Sequence, residues 1–367
     1  MRWGANAKPP SATLPEAVCR HFGACGGCAL QDLSPGQYID AKRRLIVDAL
    51  ARQGIADPPL KEIASVAPCT RRRATLKVQK AGGETRIGFH APRSHELVDI
   101  RECHVLAPGL FRLAQQLRKI FAQMLRDAES AELYMVEAEN GLDLAISWKR
   151  KVPPELIAEI AAAATKLNLI RVTSGIEMLY ESGAPEVSFG KARVNLPPNA
   201  FLQPTREGEG ILQARVAEAI GKAKRIADLF SGCGTFTLPL AERAQVHAVD
   251  ADGPMLQALA AAARATSGLK PVTTERRDLS KRPLTPAELS RFNAAVLDPP
   301  RAGALAQSTK LAQSTLRRIA YVSCDAASFA RDARVLIDGG FRLDWIVGVD
   351  QFLWSAHIEL AAAFSRD

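Results

Sequence analysis

The second half of the chain alternates regularly between apolar and amphipathic stretches. After Thr205, short apolar runs typical of buried strands are separated by stretches with helical spacing. The predicted strands are 226–230, 246–250, 272–274, 294–298, 319–323 and 341–347. Strands separated by helices in this way predict a parallel, doubly wound α/β sheet. A last predicted strand, 357–364, follows its predecessor without a helix, so we expect it to pair antiparallel.

The first half of the chain has a different, mixed pattern. Apolar residues recur at helical spacing over 30–53, after the helix start signal Ser34-Pro35. The remaining predicted elements are a hairpin with a turn at Gly82-Gly83, a helix over 109–127, a hairpin about Asn140-Gly141, a helix over 154–167 and short strands to 196. We therefore predict a mobile tail (1–18), a central mixed α+β domain (19–200) and an α/β domain (201–367).

Charge adds a possible partner to this picture. The chain has 367 residues and a formal net charge of +9. Its basic residues cluster at Lys42-Arg43-Arg44, at Arg71-Arg72-Arg73 with Lys77 and Lys80, at Lys149-Arg150-Lys151, and at Lys222, Lys224 and Arg225. Such clusters attract polyanions and favour nucleic acid as the partner, although each run alone is also typical of a solvated face.

The cellular compartment decides how the cysteines should be interpreted. No apolar run approaches the roughly 20 residues that a membrane span needs, and the N-terminus has no apolar signal core. We therefore expect a cytoplasmic protein that is not attached to a membrane. In that reducing compartment, seven cysteines indicate metal binding or catalysis more than disulfides.

Three of these cysteines lie close together in the sequence. They form the pattern Cys19-x5-Cys25-x2-Cys28, and a fourth ligand would have to come from elsewhere, with His21, Cys69 and Cys103 as the candidates. Four thiolates hold either zinc or an iron–sulfur cluster, and the spacing alone does not decide between them.

A glycine-rich turn predicts a cofactor site in the α/β domain. The strand that ends at Asp228 runs into Phe230-Ser231-Gly232-Cys233-Gly234, where glycines allow the backbone to approach a ligand. Asp250 ends the next strand, about 20 residues on, and is placed to bind a ribose diol. Either a dinucleotide or S-adenosylmethionine fits this arrangement. The spacing Gly-x-Gly without a third glycine favours S-adenosylmethionine, and Asp278 is then placed to meet the adenine.

Three further segments follow in a fixed order. Asp298-Pro299-Pro300-Arg301 ends one predicted strand, Ser323-Cys324-Asp325 ends another, and His357-Ile358-Glu359 opens the last. Together with the glycine-rich turn and the cysteine pattern, these segments resemble the RNA uridine-5-methyltransferase family over nearly the whole chain from Cys19 to Phe364. An isolated cysteine is otherwise often a small buried thiol, and a lone edge-strand carboxylate often faces water.

The resemblance implies a fold and a set of site residues. The C-terminal part would be a Rossmann-like class I S-adenosylmethionine methyltransferase domain with a seven-stranded, mostly parallel sheet, and 19–200 would face the RNA. Cys324 would be the nucleophile and Glu359 the base, with His357 beside it. The pocket shared by the methyl donor and the uracil would be lined by Gln203, Phe230, Thr235, Asp250, Asp278 and Asp298. Cys19, Cys25, Cys28 and Cys103 would hold a [4Fe-4S] cluster that fastens the N-terminal segment to the central domain, with zinc as the alternative.

The chemistry of uracil explains why these residue types are needed. Carbon 5 is a poor nucleophile, and a Cys324 thiolate that adds to carbon 6 would convert the ring into an enolate that can attack the methyl group. Glu359 would then remove the carbon 5 proton so that the cysteine can leave. Asp298 would accept a hydrogen bond from the uracil imide, and Gln203 would bind the carbonyl where charge grows. Arg301 would contact a phosphate or form an ion pair within its loop.

Two departures bear on the RNA target. Only 18 residues precede Cys19, where many relatives carry an oligonucleotide-binding TRAM barrel, and Thr205 stands where relatives usually carry asparagine. The cluster cysteines favour 23S ribosomal RNA, because bacterial transfer RNA enzymes of the family generally lack them. The predicted function is methylation of a specific uridine in 23S ribosomal RNA by a monomeric enzyme. The alternatives are a transfer RNA methyltransferase and an inactive iron–sulfur protein that binds RNA.

Overall fold

The computed structural model describes residues 17–367, so nearly all of the predicted tail lies outside the described residues. The helices of this part are α1 (Pro35–Ala51), α2 (Pro108–Met124), α3 (Pro154–Leu167), α4 (Arg206–Ile220), α5 (Thr237–Ala241), α6 (Gly253–Ala265), α7 (Pro286–Leu289), α8 (Leu305–Ala312) and α9 (Ala326–Asp338). The strands are β1 (Leu60–Ser65), β2 (Arg73–Ala81), β3 (Glu84–His90), β4 (Leu97–Asp99), β5 (Ser130–Glu137), β6 (Leu142–Trp148), β7 (Leu169–Ser174), β8 (Glu177–Glu181), β9 (Glu186–Phe189), β10 (Ala192–Asn195), β11 (Arg225–Leu229), β12 (Gln245–Asp250), β13 (Val272–Arg276), β14 (Ala294–Leu297), β15 (Arg318–Ser323), β16 (Arg342–Asp350) and β17 (Glu359–Ser365).

The larger sheet has the order β1-β16-β17-β15-β14-β11-β12-β13. All neighbouring pairs are parallel except those of β17, which runs antiparallel to both β15 and β16, as predicted. The seven strands predicted from the sequence are present, and β1 adds an eighth at the edge. The sequence pattern missed β1 because Leu60 is its only fully buried residue, which leaves almost no periodic signal.

The helix predicted near residue 34 begins where the sequence indicated. Ser34 caps α1 through a capping box in which the Ser34 side chain accepts from the backbone of Gln37 and the Gln37 side chain reaches back to Ser34. The buried face of α1 includes Ile46 and Leu50, which join the core of the larger sheet. Helix α1 and strand β1, which fall within the predicted domain 19–200, thus pack with the larger sheet.

Strands β9 and β10 form a two-stranded antiparallel sheet, and the remaining strands form a seven-stranded sheet in the order β4-β3-β2-β5-β6-β7-β8. Both predicted hairpins are present: β2 pairs with β3 across Gly82-Gly83, and β5 pairs with β6 across the turn at Gly141. At Gly82 and Gly83 the backbone has φ values of +58° and +79°, a conformation that glycine adopts without strain. Helices α2 and α3 pack on this sheet and complete its core.

No helix in the described part of the chain is long and apolar enough to cross a membrane.

Arg72 and Arg73 connect the start of β2 to the segment that leads into α4 instead of forming an open basic surface. Arg72 is buried, donates to the backbone carbonyl of Gln203 (3.1 Å) and pairs with Glu209 at 2.6 Å. Arg73 is half-buried and donates to the carbonyl of Leu202. The prediction that this run is an accessible basic patch is therefore wrong for Arg72 and Arg73, because the carbonyls of Leu202 and Gln203 and the carboxylate of Glu209 in α4 accept from them.

Lys42 also departs from the predicted basic patch. Its side chain is completely buried and lies 2.7 Å from the equally buried carboxylate of Asp350, at the end of β16. The ammonium group also donates to the carbonyls of Phe352 (3.0 Å) and His357 (2.6 Å). Burial lowers the pKa of Lys42, and the Asp350 charge opposes that effect. Lys42 thus fastens both ends of the β16–β17 loop, whereas Arg43 and Arg44 beside it are exposed.

This arrangement predicts that Lys42→Ala is strongly destabilising. Removing one partner of a buried ion pair leaves the other charge buried, so we expect a loss of about 3–5 kcal/mol in the free energy of unfolding. Arg43→Ala is the matched control and should stay within about 0.5 kcal/mol of the wild type, because that side chain is exposed. Urea unfolding of both variants measures the difference, and equal stabilities would contradict the role given to Lys42.

Candidate active site

The predicted catalytic residues meet where the parallel strands of the larger sheet have their carboxyl ends, which we call the catalytic edge. Parallel strands β14 and β15 have their carboxyl ends at this edge, and antiparallel β17 begins there. The register pairs Ser323 with Leu360, so Cys324 and Glu359 are the next residues on each side of that pair. Asp298 directly follows β14, next to the end of β11. This edge is also where open α/β sheets bind their ligands.

Four side chains at this edge are linked by a continuous series of hydrogen bonds. Asp298 Oδ2 accepts from Gln203 Nε2 (3.2 Å), Gln203 Oε1 accepts from Gln351 Nε2 (2.8 Å), and Gln351 Nε2 also donates to Glu359 Oε2 (3.1 Å). Gln203, Gln351 and Glu359 are buried, with 2 %, 1 % and 3 % of their surface exposed. Three of the four were predicted from the sequence. Gln351 was missed, although a polar pair Asp350-Gln351 at the end of an apolar strand was a signal for it.

The two carboxylates of this series lie in an environment that disfavours their charge. Burial raises the pKa of Glu359 to about 7, while the Gln351 hydrogen bond and the charges of Arg73 and Arg301 oppose the rise. Burial and the nearby Glu359 raise the pKa of Asp298 well above its usual value. A carboxylate with a pKa near neutrality can act as a general base at physiological pH.

Cys324 lies at the end of β15, just before Asp325 caps α9. Its pKa is raised to about 11 by burial and by the charges of Glu359 and Asp298, which together outweigh Arg301. The thiol is therefore protonated in the free protein. His357 lies near Arg301 and Lys42, and burial together with these cations lowers its pKa. Nucleophilic attack by Cys324 would need a change in these surroundings when a substrate binds.

The glycine-rich turn has the geometry of a ligand site. Phe230 has a φ of +63° and Gly232 a φ of +52°, so the chain reverses sharply after β11. Asp250, at the end of β12, accepts the backbone N–H of Gly232 at 2.8 Å. Ser231 is buried with its hydroxyl oxygen lacking a hydrogen-bond partner, and such a group is usually satisfied by a ligand or water.

Two of the predicted pocket residues have other contacts. The Thr235 backbone carbonyl accepts from Gln213 Nε2 at 3.0 Å. The Asp278 carboxylate accepts from the hydroxyl of Ser280 and from its backbone N–H (3.1 Å). These two hydrogen bonds and Lys281 lower the pKa of Asp278. Asp278 is partly exposed just after β13, which β11 and β12 separate from β14 in the sheet. Thr205, the departure noted in the sequence, caps α4 by accepting the N–H of Gly208.

The four predicted cluster cysteines line one cavity of about 320 Å³. Cys19, Cys25, Cys28 and Cys103 are all free thiols, and burial raises the pKa of each, that of Cys28 to about 11. Arg73, Arg301 and His357 line the same cavity, so it extends to the predicted catalytic edge. Within residues 17–367, no group of three or more His, Cys, Asp or Glu side chains is arranged to hold a metal ion.

The two other candidates for the fourth ligand are distinguished by their contacts. Cys69 is not among the residues that line the cavity. His21 lines the cavity, but its Nε2 accepts the backbone N–H of Arg101 at 2.9 Å. Trp354, in the β16–β17 loop, contacts the segment directly after Cys28, because its carbonyl accepts the N–H groups of Ala29 (2.6 Å) and Leu30 (2.9 Å).

Comparison with known proteins identifies relatives of this chain. The family model described as tRNA (Uracil-5-)-methyltransferase matches residues 147–366. An uncharacterised RNA methyltransferase of Rhizobium meliloti (strain 1021) is 40% identical over 365 residues, which is 98% of this chain and 88% of the relative. The 23S rRNA (uracil(1939)-C(5))-methyltransferase RlmD of Thiobacillus denitrificans is 33% identical over 384 residues, covering 97% of this chain and 87% of that protein.

A solved structure has the same fold. The Pyrococcus abyssi tRNA (uracil-54, C5)-methyltransferase, solved with S-adenosyl-L-homocysteine, superposes with a TM-score of 0.72 at 21% identity, covering 93% of this chain and 84% of that one. The chain therefore belongs to the RNA uridine-5-methyltransferase family. It is an S-adenosylmethionine-dependent RNA (uracil-5-)-methyltransferase with an α/β methyltransferase fold.

The raised pKa of Cys324 predicts that its thiol reacts slowly and that the reaction rate depends strongly on pH. At pH 8 we expect iodoacetamide to alkylate Cys324 at least tenfold more slowly than a cysteine of ordinary pKa, with a rate that still rises above pH 9. Glu359→Gln removes a charge that disfavours the thiolate and should accelerate the reaction. Peptide mass spectrometry measures the modification of Cys324 separately, and a rate that levels off below pH 9 would contradict the account.

Proposed function

We propose that this enzyme methylates carbon 5 of a specific uridine in 23S ribosomal RNA through a covalent adduct between Cys324 and uracil carbon 6. The observation that carries the proposal is the register of β15 and β17, in which Cys324 and Glu359 flank the pair Ser323 and Leu360. A nucleophile and a base are then available side by side in one buried site. Both are needed to add to carbon 6 and later remove the proton from carbon 5.

The proposed reaction begins with proton loss from Cys324 and attack of its sulfur on carbon 6. The new bond moves the carbon 5–carbon 6 electron pair into an enolate, and carbon 5 takes the methyl group from the sulfonium donor. Asp298 accepts from the uracil imide, which favours uracil over cytosine. Gln203, which bridges Asp298 and Gln351, keeps a second amide hydrogen with which to bind the carbonyl that gains charge.

The reaction ends with elimination. Glu359 removes the proton from carbon 5, the ring double bond forms again, and the bond between carbon 6 and the Cys324 sulfur breaks. The pKa of about 7 supports Glu359 in this role, because a substantial fraction of the carboxyl groups is ionised at neutral pH and can accept a proton. The departing thiolate takes up a proton, which restores the resting thiol.

The methyl donor would occupy the turn after β11. Asp250 would bind the ribose diol, Phe230 would contact the donor from the turn, and Asp278 would meet the adenine amino group. Thr235 completes the proposed pocket. The buried Ser231 hydroxyl, which has no protein partner, supports a ligand in this turn.

Ribosomal RNA is preferred as the substrate for two reasons. The relative with 33% identity over 97% of the chain is a 23S rRNA enzyme, and this chain carries the four cysteines that line one cavity. Transfer RNA is the second candidate, favoured by the family description and by the Pyrococcus abyssi enzyme of similar fold. Exposed basic residues that remain free to meet RNA phosphates include Arg44, Lys149, Lys151, Lys222 and Lys224.

Mapping 5-methyluridine in RNA from a strain without this gene tests the proposed function. We expect one site in 23S ribosomal RNA to lose its methyl group and to regain it with the wild-type gene. Complementation with Cys324→Ala should not restore it, because no adduct can form. Loss of the modification from transfer RNA would favour the second candidate. Unchanged methylation in both RNAs would favour the alternative of an inactive RNA-binding protein.

We further propose that Cys19, Cys25, Cys28 and Cys103 hold a [4Fe-4S] cluster. The donor set supports it, since four free cysteine sulfurs line one cavity and iron–sulfur clusters are held by four cysteine thiolates. Bound there, the cluster would supply a covalent link between the N-terminal segment and the central sheet. Zinc remains the alternative occupant of a four-thiolate site.

Metal analysis of protein purified without oxygen tests this part of the proposal. We expect about four irons and four acid-labile sulfides per chain. Cys28→Ala should lose most of the iron, while Cys69→Ala is the matched control and should keep it, because Cys69 does not line the cavity. One zinc per chain and no iron would contradict the cluster.

A further inference from the structure

Gln351 is the one member of the hydrogen-bonded series that no sequence motif indicated. It follows Asp350 at the end of β16 and is 1 % exposed. Its side-chain amide lies between Gln203 and Glu359. We propose that Gln351 is a positioning residue that orients the Glu359 carboxylate, favours its ionised form, and fixes the direction of the Gln203 amide. This inference rests on the proposed function, in which Glu359 is the base.

The Gln351 amide can adopt only one useful orientation. An ionised carboxylate only accepts hydrogen bonds, so the nitrogen of Gln351 must face Glu359. Its two hydrogens are then used by Glu359 Oε2 at 3.1 Å and by Gln203 Oε1 at 2.8 Å. The amide oxygen is buried without a partner and faces the first turn of α4, where a Cβ atom at Gly208 would lie 2.6 Å from it.

The orientation of Gln351 determines that of Gln203. Because Gln203 Oε1 accepts from Gln351, its Nε2 is directed to Asp298 Oδ2 at 3.2 Å. Without Gln351, the Gln203 amide could rotate by half a turn and place its oxygen beside the Asp298 carboxylate. The hydrogen bond from Gln203 Nε2 to Asp298 would then be lost. The donor that is proposed to bind the uracil carbonyl would then point elsewhere.

The same amide offsets part of the unfavourable burial of Glu359. The groups that face Glu359 from the surrounding elements are Asp298 after β14, Cys324 after β15, Arg73 on β2, and Arg301 in the loop before α8. Of these, the two arginines favour the ionised form of Glu359, and the charge of Glu359 in turn raises the pKa of Asp298. Gln351 is the only described residue that donates a hydrogen bond to the Glu359 carboxylate. Its N–H therefore favours the form that can take a proton.

Gln351→Met tests the inference, because methionine keeps the length of the side chain and removes both donors. RNA that carries tritium at uracil carbon 5, combined with a ¹⁴C-labelled methyl donor, reports methyl transfer and proton loss separately in a single turnover. We expect ¹⁴C incorporation to fall by the same factor at every pH, because the Gln203 donor is no longer held in one direction. Relative to methyl transfer, tritium release should become about fivefold slower at pH 7, with its pH midpoint raised by about one unit, and this ratio should recover near pH 9.

The direction of the shift follows from the role of a base. Glu359 works in its ionised form, so the rate of proton loss rises as pH passes its pKa. Removing a donor from the carboxylate raises that pKa and moves the midpoint to higher pH. A purely structural loss would instead reduce methyl transfer and proton loss together at every pH. Glu359→Gln is the reference variant and should release no tritium at any pH in this range.

A second pair of variants reaches the same amide without changing a site residue. Gly208→Ala places a methyl group 2.6 Å from Gln351 Oε1 and should shift the tritium-release midpoint in the same direction. Gly210→Ala lies two residues further along α4, where a Cβ atom meets nothing within 4 Å, and should behave as the wild type. Circular dichroism and methyl-donor binding should be unchanged in Gly210→Ala and Gln351→Met.

The outcomes separate this inference from the proposed function. RNA with 5-fluorouridine at the target cannot lose a carbon 5 proton, so it should trap the Cys324 adduct in the wild type and in Gln351→Met alike. If the wild type forms no adduct, the proposed function fails. If the wild type forms the adduct but Gln351→Met releases tritium with the wild-type rate and pH midpoint, only the inference about Gln351 is overturned.

Discussion

The buried ion pair between Lys42 and Asp350 fixes the part of the chain on which the active site depends. Lys42 holds the carboxylate at the end of β16 and the carbonyls of Phe352 and His357, so it fastens both ends of the connection to β17. Gln351 lies between Asp350 and Phe352, and Glu359 follows His357 by two residues. The same loop also accepts two N–H groups after Cys28 through Trp354. One anchored loop therefore links the cysteine cavity to the catalytic edge.

Burial of acidic groups determines the electrostatic character of the site. Glu359 and Asp298 both have raised pKa values, and together they help raise that of Cys324 to about 11. In the free enzyme Cys324, the proposed nucleophile, is consequently an unreactive thiol. In the proposed cycle the uracil imide meets Asp298, and RNA phosphates meet the cations near the cavity. The thiol then becomes reactive only when its target is bound, which limits side reactions of an accessible cysteine.

The sequence predicted those features that depend on local pattern or on the order of strands. The antiparallel last strand was expected from the missing helix before it, and that strand is what brings Glu359 beside Cys324. Lys42, Arg72 and Arg73 were misinterpreted because a run of charges is usually solvated, whereas their partners lie more than a hundred residues away in the chain. Gln351 was missed for a similar reason. Its role comes from contacts with Gln203 and Glu359 that only the folded chain creates.

The central claim is that Cys324 bonds to the uracil and Glu359 resolves the bond. Glu359→Gln incubated with target RNA and a labelled methyl donor tests it most directly. The account predicts a labelled, slowly migrating species on a denaturing gel that contains both protein and methylated RNA, and that is absent when Cys324→Ala is added to the same variant. Asp298→Asn should trap little of this protein–RNA adduct, because recognition of the uracil fails before any covalent bond forms. Full turnover by Glu359→Gln, or an adduct that persists without Cys324, would contradict the account.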